Sequence, residues 1–236
     1  SVGDNPLRQF GMNRATKIHQ RLLEHFGEPV LRNPLPPLDE MVSTILSQNT
    51  NDANRDKAFR SLRERFPTWE QVRDAAPEEV IRAIRSAGLA NQKGPRIQNA
   101  LEKITALRGA LELDFLRDYS SREALDWLMQ FKGVGSKTAS IVLLFSLGKP
   151  AFPVDTHIHR ITGRLGLRPL KMSAEKAHTH LAEQFPENAF YAAHLNLIRL
   201  GREICQARKP KCEVCPLQEM CAYYANRSDS SVNSNP

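Results

Sequence analysis

Every cysteine of this 236-residue chain lies between positions 205 and 221, as Cys205, Cys212, Cys215 and Cys221 with the spacing C-x6-C-x2-C-x5-C. Four thiolates in one short loop can close around a metal or a cluster without ligands from elsewhere in the fold. Two disulfides are the competing reading. They fit poorly, because no apolar signal segment opens the chain and a chain of this length buries a core without covalent staples. A metal site is therefore favoured, and spacing alone leaves zinc and iron–sulfur open. Structural zinc usually shows two C-x2-C knuckles, whereas one is present here, from Cys212 to Cys215.

The charge balance narrows the partner. With 33 Lys and Arg against 26 Asp and Glu, the chain carries +7 and has a pI near 9.4, which favours a polyanion. The excess is localised: Arg202, Arg208, Lys209 and Lys211 cluster against the single acid Glu203, inside and beside the cysteine loop. No apolar run approaches the length needed to cross a bilayer, so no membrane partner is expected.

Helical periodicity dominates the rest. Ile18, Leu22, Leu23 and Phe26 recur at helical spacing before Gly27, and Met41, Val42, Ile45 and Leu46 form a short apolar stripe that ends near residues 47–50. Further helices are predicted over 52–66, from Pro77 to about Gly88, and over 93–107, 121–130, 136–147, 156–165, 173–184 and 188–203. Strand signals are almost absent, so the fold class is all-α. Residues 226–236 are rich in Ser and Asn and read as a disordered tail.

One corner between helices carries chemistry. Gly133-Val134-Gly135 allows a tight turn whose backbone N–H groups face outward, and the next helix begins at Ser136. Such a turn grips a phosphate oxygen without side chains, and the basic flanks Lys132 and Lys137 favour that reading over an ordinary helix cap. Lys137 sits in the first helical turn, where the helix dipole opposes a cation, and an amine must lose its proton to act as a nucleophile. Asp155 precedes the 156–165 helix and reads first as an N-cap. Residues 136–147 carry the chain about 18 Å from Lys137, and residues 148–154 can span about 23 Å in return. Asp155 can therefore face Lys137 and also stabilise developing positive charge. His157 and His159 fall on different helix faces and make no metal site; His157 reads as structural and His159 as facing a cleft.

Taken together, Gly133 to Ala139, Val154 to Arg160 with Asp155 eighteen residues after Lys137, and the four-cysteine loop resemble the endonuclease III family of helix–hairpin–helix DNA glycosylases. The likeness spans roughly residues 13–224. It implies two helical domains flanking a DNA-binding cleft: a six-helix domain over 32–148 and a cluster domain built from 1–31 plus 149–225. It also implies a 4Fe-4S cluster on Cys205, Cys212, Cys215 and Cys221, with Lys137 as nucleophile and Asp155 as catalytic carboxylate.

The implied activity is removal of oxidised pyrimidines from double-stranded DNA, followed by strand scission at the abasic site through a Schiff base on Lys137. Leu89 matches an apolar wedge inserted into the base stack. Asn49, with Gln48 one place earlier, matches the residue that fills the gap left by a flipped base. Lys132, Gly133, Val134 and Gly135 would hold phosphate, as would Arg208, Lys209 and Lys211. Lys132 stands where the family usually carries proline, and Ala90 where an aromatic residue is often found. Mismatch and adenine glycosylases of the same superfamily generally lack a lysine at position 137. A lesion-binding homologue without efficient catalysis is the remaining alternative. The resemblance implies a monomer acting on damaged or abasic duplex DNA, with a bacterial cytoplasmic location expected ahead of an organellar or nuclear one.

Overall fold

The computed structural model describes residues 12–232, with side chains described through residue 227. Among the described residues there are twelve α-helices and no strand. The chain forms two compact units, one over Arg32–Pro153 and the other drawing on the segments up to Leu31 and from Val154 onward.

In the unit over Arg32–Pro153, local sequence signals mark most helix ends. Helix α2 (Pro37–Ser47) starts on Pro37 with Asp39 and Glu40 in its first turn, and α3 (Asp52–Arg65) is capped by the Asn51 side chain. Helix α4 (Trp69–Asp74) was not anticipated. Pro67 reads as a break, but Thr68 and Gln71 form a reciprocal capping box that starts a new turn at once. Helix α5 (Pro77–Ala83) and a 3-10 turn over Arg85–Ala87 lead into α6 (Ala90–Arg108), which begins three residues earlier than periodicity suggests because Leu89 itself is the cap. Helix α7 (Ser121–Met129) opens on a Ser120–Glu123 capping box. Helix α8 (Ser136–Ile141) passes into a π-helical turn over Val142–Ser146, where the Leu147 N–H reaches back to the Val142 carbonyl.

The core of this unit joins the predicted stripe of Met41, Val42, Ile45 and Leu46 to apolar residues of the neighbouring helices. Met41, Ile45, Leu62, Val80, Ile84, Ile97, Leu101, Leu128 and Val142 are each fully or almost fully buried. A buried Leu or Ile contributes about 1.5–3 kcal/mol by leaving water, so Leu101→Ala alone would remove about 2–5 kcal/mol. Gly94 lets α6 lie against α5: a Cβ there would come within 2.9 Å of Ile81 Cγ1. The loops that this packing carries at its edge are residues 48–51, 88–89 and 131–135.

The second unit contains α1 (Arg14–Phe26), α9 (Thr156–Leu165), α10 (Ala174–Ala182), α11 (Phe190–Glu203) and α12 (Ala222–Val232). Helices α1 and α9 both pack on α11, around Ile18, Leu22, Ile158, Ile161, Ala193 and Leu197. Contacts distant in sequence tie α1 down: Arg14 donates to the Leu165 and Met220 carbonyls, each at 2.6 Å, and Asn13 donates to the Gln184 carbonyl at 2.7 Å. Helix α12 runs to Val232, through the first part of the segment whose composition reads as a disordered tail. Residues 233–236 lie outside the described residues.

Candidate functional site

In the unit over Arg32–Pro153, the corner between α7 and α8 follows from two glycines. Gly133 has φ of 86°, a conformation open to glycine at little strain, and Gly135 caps α8 in extended geometry. Val134 between them is buried in the core, anchoring the turn from below while Lys132 and Gly135 stay exposed. Lys137, the second residue of α8, is exposed and follows the turn directly. Arg96 of α6 lies across the same turn, close enough that a Cβ on Gly133 would sit 2.8 Å from its Cδ. Sequence reading missed Arg96, and no local signal marks it.

The loop after α2 separates the two amides that the sequence left in competition. Gln48 is half-buried and its Nε2 donates to the Gly133 carbonyl at 2.9 Å, so its side chain is engaged with the hairpin. Asn49 is exposed and holds φ of 55°, in the left-handed region that asparagine tolerates better than most residues. Leu89 is 47% exposed at φ 49° and ψ 33°, a strained position for a side chain with a Cβ, and so is not a core residue. Ala90 beside it rests against the core. Beneath these loops Lys93 is almost completely buried and donates to the Leu46 and Ala87 carbonyls. Its spacing with Ile97, Leu101 and Ile104 was the available signal, since a lysine on an apolar helical stripe must find polar partners inside.

Asp155 belongs to the other unit and caps α9, its Oδ1 accepting from the Ile158 N–H at 2.8 Å. The ring of His159 bonds the Met172 carbonyl at 2.8 Å, and His157 Nδ1 meets Arg160 at 3.1 Å. Arg168, 7% exposed, binds the carbonyls of His159, Pro169, Leu170 and Met172, which fixes the loop after α9. Burial depresses the pKa of Arg160 and of Arg168.

All four cysteines line one pocket, together with Leu200, Ile204 and Tyr224. Two arginines of α9 hold the start of the loop. Arg160 donates to the Cys205 carbonyl, and Arg164 donates to the Gln206 and Ala207 carbonyls and reaches Cys205 Sγ at 3.3 Å. Burial first, then the neighbouring thiols, pushes the Cys215 thiol up to about 11, and burial raises Cys221 as well. Burial therefore holds the Cys215 and Cys221 thiols against ionisation until a cationic group binds them. Among the described residues no three His, Cys, Asp or Glu side chains converge as for a single metal ion. An all-sulfur donor set gathered in one pocket suits zinc or an iron–sulfur cluster. On the same loop Arg208, Lys209 and Lys211 are exposed, with Lys209 at φ 50°.

Comparison with known proteins agrees with this arrangement. Residues 42–187 match the HhH-GPD superfamily base excision DNA repair protein family, and residues 205–221 match the iron-sulfur binding domain of endonuclease III. The chain is 33% identical over 198 residues to an endonuclease III of Thermotoga maritima, covering 84% of this chain and 88% of the relative. It is 39% identical over 190 residues to a protein of Arabidopsis thaliana named as a candidate DNA glycosylase, covering 76% of this chain but only 64% of that protein. Among solved structures, a trapped endonuclease III–DNA covalent intermediate superposes with a TM-score of 0.77 at 27% identity, over 92% of this chain and all of that one.

Proposed function

The chain belongs to the endonuclease III family of HhH-GPD base excision DNA repair proteins and carries that family's iron-sulfur binding domain, and from this premise we propose that it is a bifunctional DNA glycosylase and abasic-site lyase acting on oxidised pyrimidines in duplex DNA. The observation that carries the reading is Lys137: an exposed amine one residue into the helix that follows a glycine turn suited to phosphate.

In its neutral form Lys137 attacks C1′ of an extruded nucleotide, and the N-glycosidic bond breaks with its electron pair leaving on the base, which takes up a proton. The Asp155 carboxylate stabilises positive charge on the sugar and accepts a proton from the attacking amine. Opening of the sugar yields an imine between Lys137 and C1′. Loss of the C2′ proton then expels the 3′ phosphate oxygen, and the strand is nicked. A covalent intermediate in the name of a solved relative supports this route.

The loops supply the distortion that brings the nucleotide out. Leu89 enters the stack, and Asn49 fills the vacated place because Gln48 is held by the hairpin. The backbone of residues 132–135 and the side chains of Arg208, Lys209 and Lys211 take phosphates, and the protein acts as a monomer on damaged or abasic duplex. Cys205, Cys212, Cys215 and Cys221 would hold a 4Fe-4S cluster, whose contribution is to brace the basic loop covalently. No redox step enters the proposed catalysis.

Borohydride trapping on a duplex with one oxidised pyrimidine tests the reading. A covalent adduct that disappears in Lys137→Ala is expected. An adduct that survives the substitution overturns the assignment, and tight binding with no adduct identifies a lesion-binding homologue instead. A panel of duplexes with single defined lesions then fixes the substrate range.

A further inference from the structure

The largest fully buried side chain among the described residues is a lysine, not an aromatic or an aliphatic residue. Lys93 is 1% exposed, and its ammonium donates at 2.8 Å to the Leu46 carbonyl and at 2.9 Å to the Ala87 carbonyl. Burial lowers its pKa, and no carboxylate opposes that effect. Filling this volume would not require a charge, since methionine has nearly the same shape. The placement of the two carbonyls gives the ammonium another use.

Leu46 lies in the last turn of α2, where carbonyls run out of helical partners, and Asn49 follows three residues later. Ala87 ends the 3-10 turn before α6, and Leu89 follows two residues later. Asn49 and Leu89 are the non-glycine residues of this unit held at positive φ, at 55° and 49°. One buried cation thus grips the root of each strained loop, 47 residues of chain apart on one side and six on the other.

We propose that Lys93 is a positioning residue, tying the Asn49 loop to the Leu89 turn so that both side chains enter the duplex as one preset unit. The inference rests on the reading above in which these two residues distort DNA. Two loops that moved separately would have to be ordered one after the other on the substrate. Joined at their roots, they meet it already arranged, and the ordering entropy is met at folding.

The test is Lys93→Met, which keeps the stem and removes the donors. Adduct formation is followed on the same abasic site placed in a fully paired duplex and in a single strand, where no stack has to be opened. Measurements are made at a temperature where circular dichroism shows the variant folded. The duplex rate should fall by about tenfold or more while the single-strand rate stays within about twofold of the parent. Equal losses on both substrates mean that Lys93 merely supports the fold, and no loss on either means that it has no role; both results overturn the proposal.

Amide hydrogen exchange on the parent protein gives a reading without substitution, and decides if the variant does not fold. Amides of residues 48–50 and 88–89 should exchange through one shared opening, with free energies that respond alike to added urea. Independent exchange of the two loops overturns the tie. If the parent forms no adduct on either DNA, the functional reading fails, and exchange alone then decides whether the loops are joined.

Discussion

At position 89 the usual ranking of alanine over glycine should invert. In a helix, glycine is less stable than alanine by about 0.5–1 kcal/mol because its unfolded chain has more freedom. Leu89 instead holds φ 49° and ψ 33°, where a Cβ costs about 1–2 kcal/mol and glycine escapes that strain. Truncation removes a side chain that is 47% exposed, so either variant forfeits roughly half the burial of a leucine, about 1 kcal/mol. Leu89→Ala should therefore lie about 1 kcal/mol below the parent. Leu89→Gly should lie about 0.5–1 kcal/mol above Leu89→Ala, once the greater freedom of glycine in the unfolded chain is subtracted from the strain it relieves. Urea unfolding followed by tryptophan fluorescence is a suitable assay, because both tryptophans, Trp69 and Trp127, fall in the unit over Arg32–Pro153 and report on it. Base excision should fall in both variants, since neither keeps the wedge. An alanine variant as stable as the glycine one would refute the strain argument, and a glycine variant with full excision would refute the wedge.

Three further outcomes follow from the same geometry. Gly133→Ala should cost about 1–2 kcal/mol by urea unfolding, because φ of 86° is strained for alanine; adding Arg96→Ala relieves the 2.8 Å collision but not the strain, so most of the loss should remain. Burial lowers the pKa of His19 below 6.5, so the unfolded chain binds the proton more readily; stability should fall as pH drops below about 6.5, and His19→Leu should flatten that part of the pH–stability curve. Lys209→Ala should weaken duplex binding alike for damaged and undamaged DNA and reduce the slope of log affinity against log salt by about 0.9, measured by fluorescence anisotropy.

The legible parts of the chain were those in which a local pattern has one physical outcome. Apolar residues at helical spacing, such as Ile18 with Leu22 and Ile158 with Ile161, are buried on helices, and the all-helical class followed from them. The cysteine loop was legible as a metal or cluster site because the four cysteines fall within one short segment, whereas its iron–sulfur character came from the family resemblance. Short elements were not. Helix α4 depends on a two-residue exchange of hydrogen bonds at Thr68 and Gln71. The engagement of Gln48 was hidden for a different reason: its partner carbonyl lies 85 residues away, and no periodicity encodes such a pairing.

These hidden contacts share a location. Gln48 joins the loop after α2 to the hairpin, and Lys93 joins that loop to the turn before α6. Three loops that are separate in sequence therefore hang from three hydrogen bonds made by two side chains, and two of the loops carry a non-glycine residue in the left-handed region. A residue at positive φ persists only where its surroundings over-determine it. An apolar core alone would do this poorly, because hydrophobic burial is non-directional and tolerates small shifts of a loop. Hydrogen bonds to fixed carbonyls are directional, and losing one inside the protein leaves an unsatisfied group worth about 1–3 kcal/mol. The buried lysine and the half-buried glutamine thus supply what packing cannot: a defined orientation for Asn49 and Leu89 before any DNA arrives.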